Sequence, residues 1–78
     1  MSRKAIDDCL RASVEGYFKD LRGTEPAALH QLFIDAAERP LLEVVLRQAQ
    51  GNQSKAAAWL GINRNTLRRK LLDHKLIK

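Results

Sequence analysis

Apolar residues recur at spacings of three and four along most of the chain. They form one stripe in Ile6, Leu10, Val14, Tyr17, Phe18 and Leu21, and a second in Leu29, Leu32, Phe33, Ala36, Ala37, Leu41, Val44 and Val45. This is the period of one helix face, and no run shows the strict alternation of a strand. The first stripe predicts a helix from Arg3 to Leu21, stopped by Gly23. Thr24 and Pro26 suit the opening of a second helix. Pro40 falls inside the second stripe, where a proline removes a backbone hydrogen bond, so a kink is expected between Ala36 and Pro40. Because the stripe resumes on both sides, one helix rather than two is predicted.

After Gly51 the pattern shortens. Asn52 is a good N-cap for a helix from Gln53 to Leu60, and Asn63 can cap another that runs through Asp73. Between them Gly61 can take the positive φ of a tight turn, and Ile62 can plug the space between the helices. Ala57, Gly61 and Leu67 stand where a helix-turn-helix needs a small residue, a turn glycine and a buried aliphatic. The fold class is therefore all-α, with four helices per chain and a C-terminal helix-turn-helix.

The second helix carries more apolar surface than a chain of 78 residues can cover. Ile34, Leu42 and Leu46 lie outside its main stripe, so it is apolar around most of its circumference and must be central. A second copy of the chain is the expected cover. Residues 1–50 then form a helical dimerisation core of an intertwined homodimer, and residues 51–78 a helix-turn-helix region of the same structural domain.

Charge divides at the same place. The first 50 residues hold seven Lys/Arg and eight Asp/Glu, net −1; the last 28 hold seven Lys/Arg and Asp73 alone, net +6. The whole excess of +5 therefore lies on the helix-turn-helix, where a patch of one sign attracts a polyanion. On the last helix Leu67 and Leu71 are expected to face inward, with Arg64 and Arg68 aligned on another face and Asn65 and Arg69 beside them. Arginine can donate twice to guanine, and asparagine can pair with adenine. Arg64 is the first choice for base readout in double-stranded DNA. Asn63 is equally readable as a helix cap or a base contact. Thr66, Arg68, Arg69 and Lys70 suit phosphate or flanking contacts. Trp59, beside Leu60 on the supporting helix, is expected in the core.

Other chemistry finds little to stand on. There are no paired carboxylates in a catalytic arrangement, no phosphate-binding glycine loop and no thiol-histidine motif, so no enzyme activity is expected. His30 and His74 lack metal-ligand spacing, and neither a metal nor a cofactor is expected. Cys9 reads as ordinary core and fits a reducing cytoplasm. No apolar run approaches a membrane span, and Asp7 and Asp8 interrupt any signal-peptide pattern.

The segments "YFKDLRG", "PLLEVV" and "GNQSKAAAWLGINRNTLRRKL" together resemble the Fis family of bacterial nucleoid-associated, DNA-bending proteins. The resemblance runs from about Asp8 to Leu72 and is densest in "GINRNTLRRKL". It implies base contacts by Asn63 and Arg64, and backbone or flanking contacts by Asn52, Ser54, Lys55, Thr66, Arg68, Arg69 and Lys70. It also implies a cytoplasmic, nucleoid-bound transcriptional regulator that is homodimeric and bends its duplex, with RNA polymerase or a recombinase as further partners. Asn65 departs from the smaller residue often found beside the base-reading arginine, and is grouped with the flanking contacts. The mobile N-terminal arm that contacts a DNA invertase in the family has no counterpart in this sequence, so stimulation of an invertase is not carried over. Met1, followed directly by a helix start, favours a complete small protein. Two alternatives stand beside this reading: the DNA-binding end of an NtrC-type activator, and a dimerisation module that does not bind DNA.

Overall fold

The computed structural model describes residues 2–78. Among them are four helices: α1 (Arg3–Leu21), α2 (Leu29–Gln48), α3 (Gln53–Leu60) and α4 (Arg64–Asp73). The described residues contain no strand. Ser2 caps α1, its Oγ accepting the Ala5 N–H at 3.1 Å. Two ion pairs at i,i+4, Lys4–Asp8 (3.2 Å) and Asp7–Arg11 (3.0 Å), brace its exposed first turns. The helix ends at Leu21 as predicted, but the left-handed cap begins one residue before the expected glycine. Arg22 already takes the left-handed conformation at φ 51°, and Gly23 continues it at φ 86°.

The second helix begins later than its sequence suggests. Thr24 and Pro26 stay in the connection, and Ala28, left-handed at φ 51°, precedes Leu29 without any side-chain cap. That reversal brings Phe33 back onto Tyr17, edge to face, with ring centroids 5.7 Å apart. The helix-opening residues Thr24 and Pro26 are thus left outside α2. Pro40 lies within a continuous α2, as the resuming stripe predicts. Ala36, whose carbonyl would have accepted the missing N–H, is exposed and can be hydrated instead.

Leu42, Ala49, Ala56, Ala57, Leu67 and Leu71 form the core, flanked by Val45, Leu46, Leu60, Ile62, Leu76 and Ile77. All of it lies in the second half of α2 and in residues beyond. Ala56 and Ala57 let α3 approach its neighbours closely, and Leu67 and Leu71, at 1% and 0% exposure, anchor α4. By contrast α1 buries no residue at all. Cys9, expected in a core, is exposed because α1 reaches the rest of the subunit only near its C-terminal end, where Tyr17 meets Phe33. The Cα radius of gyration is 14.9 Å, against roughly 11.5 Å for a compact chain of this length. The chain is thus a small packed head with a long, thinly covered extension.

Candidate nucleic-acid interface

The turn between α3 and α4 is built by local rules. Asn52 Oδ1 accepts the Lys55 N–H at 3.0 Å and so caps α3. Gly61 closes α3 at φ 74°, a conformation that a side chain would strain, and the Ile62 N–H donates to the Ala57 carbonyl at 3.1 Å. Asn63 Oδ1 then accepts the Asn65 N–H at 2.7 Å and caps α4. The cap reading of Asn63 is what this geometry displays, and the residue remains exposed at the start of α4.

With Leu67 and Leu71 directed into the core, Arg64, Asn65, Arg68 and Arg69 all stand exposed. None of these three arginines forms an ion pair among the described residues. Thr66 is half-buried at the edge of the same surface. On α3, Ser54 and Lys55 are exposed in the first turn beside the Asn52 cap. Asn52, Ser54, Lys55, Asn63, Arg64, Asn65, Arg68 and Arg69 are therefore all exposed on the helix-turn-helix. Such an arrangement can present hydrogen-bond donors to base edges from the first turn of α4 and unneutralised cations to phosphates along it.

Lys70 stands apart from them. Its Nζ donates to Glu38 Oε2 of α2 at 2.9 Å, and His74 Nε2 donates to Glu38 Oε1, also at 2.9 Å. Arg39 Nη1 adds a bond to the His74 carbonyl at 2.7 Å. His74 first and Lys70 second, by hydrogen bonding, hold the Glu38 carboxyl below its ordinary range. An ionised carboxylate only accepts, so His74 Nε2 carries the proton. This cluster was missed in sequence because its residues lie 32 and 36 positions apart and share no local pattern.

Trp59 corrects another expectation. It is 56% exposed rather than in the core, with Lys55 Nζ 5.5 Å from its ring centroid. The short α3 spends its buried face on Ala56 and Ala57, which leaves no room for an indole beneath it. The residues assigned to a subunit interface also divide. Ile34 is 48% exposed, but Leu42 is 2% exposed within its own subunit and Leu46 packs against the same core. Leu42 is therefore corrected from an interface residue to an intrasubunit one, since the helix-turn-helix already covers it.

The family model described as bacterial regulatory protein, Fis family, matches residues 33–74, more than half of the chain. The chain belongs to the Fis family. The matched segment runs from the Tyr17-facing Phe33 through all of α3 and α4, so it includes every residue of the exposed basic surface. A Fis-like DNA-binding protein of Ralstonia nicotianae is 51% identical over 77 residues, covering 99% of this chain and 100% of its own length. One from Neisseria meningitidis is 51% identical over 72 residues, or 92% and 91% of the two chains. The DNA-binding protein Fis of Psychromonas ingrahamii is 41% identical over 71 residues, covering 91% of this chain and 72% of that protein. This Fis-family chain is thus an all-α, helix-turn-helix DNA-binding protein. Among its described residues no helix is long and apolar enough to cross a membrane.

Proposed function

We propose that the chain acts as a homodimer that binds and bends double-stranded DNA, as a cytoplasmic, nucleoid-associated regulator of transcription. The single observation that carries this reading is the bare apolar face of α1 and α2. Ile6, Leu10, Phe18, Leu32, Ile34, Leu41 and Val44 are all more than 40% exposed in one subunit. An open groove beside Leu32 is lined by Tyr17, Ala27, Ala28 and Ala36, with Gln31, Asp35, Arg39 and His74 at its polar side. So many exposed large apolar side chains on two helices mark an interface, and a second copy supplies matching surfaces of the same chemistry.

A dimer built on α1 and α2 carries its two basic α4 helices outward, as a pair fixed by the same core. Each α4 offers Arg64 and Asn63 for bases, with Arg68 and Arg69 for phosphates. Asn52, Ser54, Lys55, Asn65 and Thr66 lie on the flanks. Where the two helices stand closer than a turn of straight DNA, the duplex must curve and narrow its central minor groove to meet both. Affinity then depends on bases that the protein never touches.

The test holds the outer half-site bases constant and replaces only the central A/T steps by G/C. Elastic bending costs on the order of 1–6 kcal/mol, so even part of that difference changes affinity tenfold or more. Weaker binding to the G/C-centred duplex, together with a bent complex, is expected. Equal affinities, or a straight duplex in the complex, would reject bending while leaving DNA binding intact.

A further inference from the structure

The Glu38 cluster lies between α2 and the last turn of α4, in a cleft that Arg69 also lines, and the reading above makes no use of it. Asp35, Glu38 and His74 bring potential metal ligands within 4.8 Å of one another. Yet Glu38 already holds the Lys70 ammonium, and Asp35 accepts from Gln31 Nε2 at 2.8 Å. The cluster supplies its own cation. What remains is a polar tie between the helix that carries the apolar dimer face and the helix that carries the basic one.

We propose that Glu38 is a positioning residue for DNA binding: it withholds Lys70 from the phosphate backbone and fixes the angle at which α4 is mounted on α2. The apolar contacts of Leu67 and Leu71 hold α4 down, but they are non-directional and permit it to roll over the small side chains of Ala56 and Ala57. Charge-assisted hydrogen bonds are directional. Three of them join α2 to α4 and the residue that follows it: Lys70–Glu38, His74–Glu38 and Arg39 to the His74 carbonyl. Lys70 is only 33% exposed in this pair, and a cation already neutralised by protein releases little counterion on binding DNA. Of the other charged groups lining the cleft, Asp35 and Asp73 favour the Lys70 ammonium and Arg69 opposes it, so the acids outnumber the added cation. In a dimer, a change in mounting angle alters the distance between the two α4 helices. The spacing consequence therefore rests on the homodimer proposed above, whereas the withholding of Lys70 does not.

The experiment uses the full chain, wild type and Lys70→Met, Lys70→Arg and Glu38→Gln. Affinities are measured at several salt concentrations for duplexes whose half-sites stand at the preferred separation or one base pair nearer or farther. Loss of a phosphate contact flattens the dependence of log K on log salt by about 0.9 per subunit. Lys70→Met is expected to leave that slope unchanged and to shrink the preference for the correct separation roughly two- to fivefold, the scale a partly exposed ion pair supplies. Lys70→Arg retains both wild-type properties, and Glu38→Gln steepens the slope as Lys70 becomes available. A flattened slope with intact spacing preference in Lys70→Met overturns the proposal, as does an unchanged slope in a folded Glu38→Gln. A wild-type protein indifferent to spacing rejects the dimer reading instead, and the salt slopes then still decide whether Lys70 is withheld.

Discussion

The amide oxygen of Asn63 is committed to the Asn65 backbone N–H, which leaves its NH2 group free to donate. One side chain thus starts the helix and offers a donor at the point where α4 would enter a groove. The two roles separate by substitution. Asn63→Asp keeps an oxygen at the cap and favours the positive helix end, so the melting temperature should hold, while its charge and lost donors should abolish tight DNA binding. Asn63→Ala should lose about 1 kcal/mol of stability as well. Unimpaired binding by Asn63→Asp would show that the residue is a cap alone. Arg64 and Arg69 divide in another way. Arg64→Ala should cost roughly 1–3 kcal/mol on specific duplexes and relax sequence preference, whereas Arg69→Ala should weaken all duplexes alike and flatten the salt dependence by about one per contact. Equal losses on specific and random DNA from both would reject that assignment. Caps and exposed arginines were legible in sequence because a cap is a local bond and α4 has a clear inward pair in Leu67 and Leu71. Trp59 was not, since an indole beside three alanines gives periodicity no way to choose its face.

At the scale of elements, the boundaries of α1, α3 and α4 follow from local chemistry, and the start of α2 does not. Ala28 adopts its left-handed turn because Phe33 must reach Tyr17, a contact between separate helices that no local signal announces. The tie between α2 and α4 escaped for the same reason, and it has a pH dependence of definite sign. The Glu38 carboxyl is held below its ordinary value of 4.5, so its stabilisation is complete above that value and is lost as pH falls through the lower folded one. Glu38→Gln should therefore melt below wild type at pH 5, by up to roughly 4–8 °C if the cluster contributes about 1 kcal/mol. As pH falls below 4.5 the two melting curves should converge. A gap that widens on acidification would mean that Glu38 stabilises nothing as a carboxylate.

For the molecule as a whole, the core and the bare apolar face occupy different parts of the chain. The core needs only the second half of α2 with α3, α4 and the tail, and it is closed within one subunit. The sequence argument that α2 is too apolar for a monomer leaves Ile34 exposed as it expects, but it counted Leu42 and Leu46, which the helix-turn-helix covers. Periodicity reports how much of a helix is apolar and not which neighbour covers each part. This distinction changes what the same substitution should do at two positions of α2. Leu42→Asp places a carboxylate among Ala49, Ala56, Leu67 and Leu71 with no partner for its charge, so it should unfold the head of the subunit at any protein concentration. Ile34→Asp sits on the bare face, where a single subunit can hydrate it. It should leave helix content near wild type and shift sedimentation from dimer towards monomer at micromolar concentration. DNA binding should then fall with the dimer, because a lone α4 loses the gain in effective concentration from its tethered twin, a factor of about 100 or more. Circular dichroism and sedimentation on the same samples separate the two effects. A wild-type protein that sediments as a folded monomer, or an Ile34→Asp dimer of unchanged affinity, would show that the apolar face of α1 and α2 meets something other than its own copy.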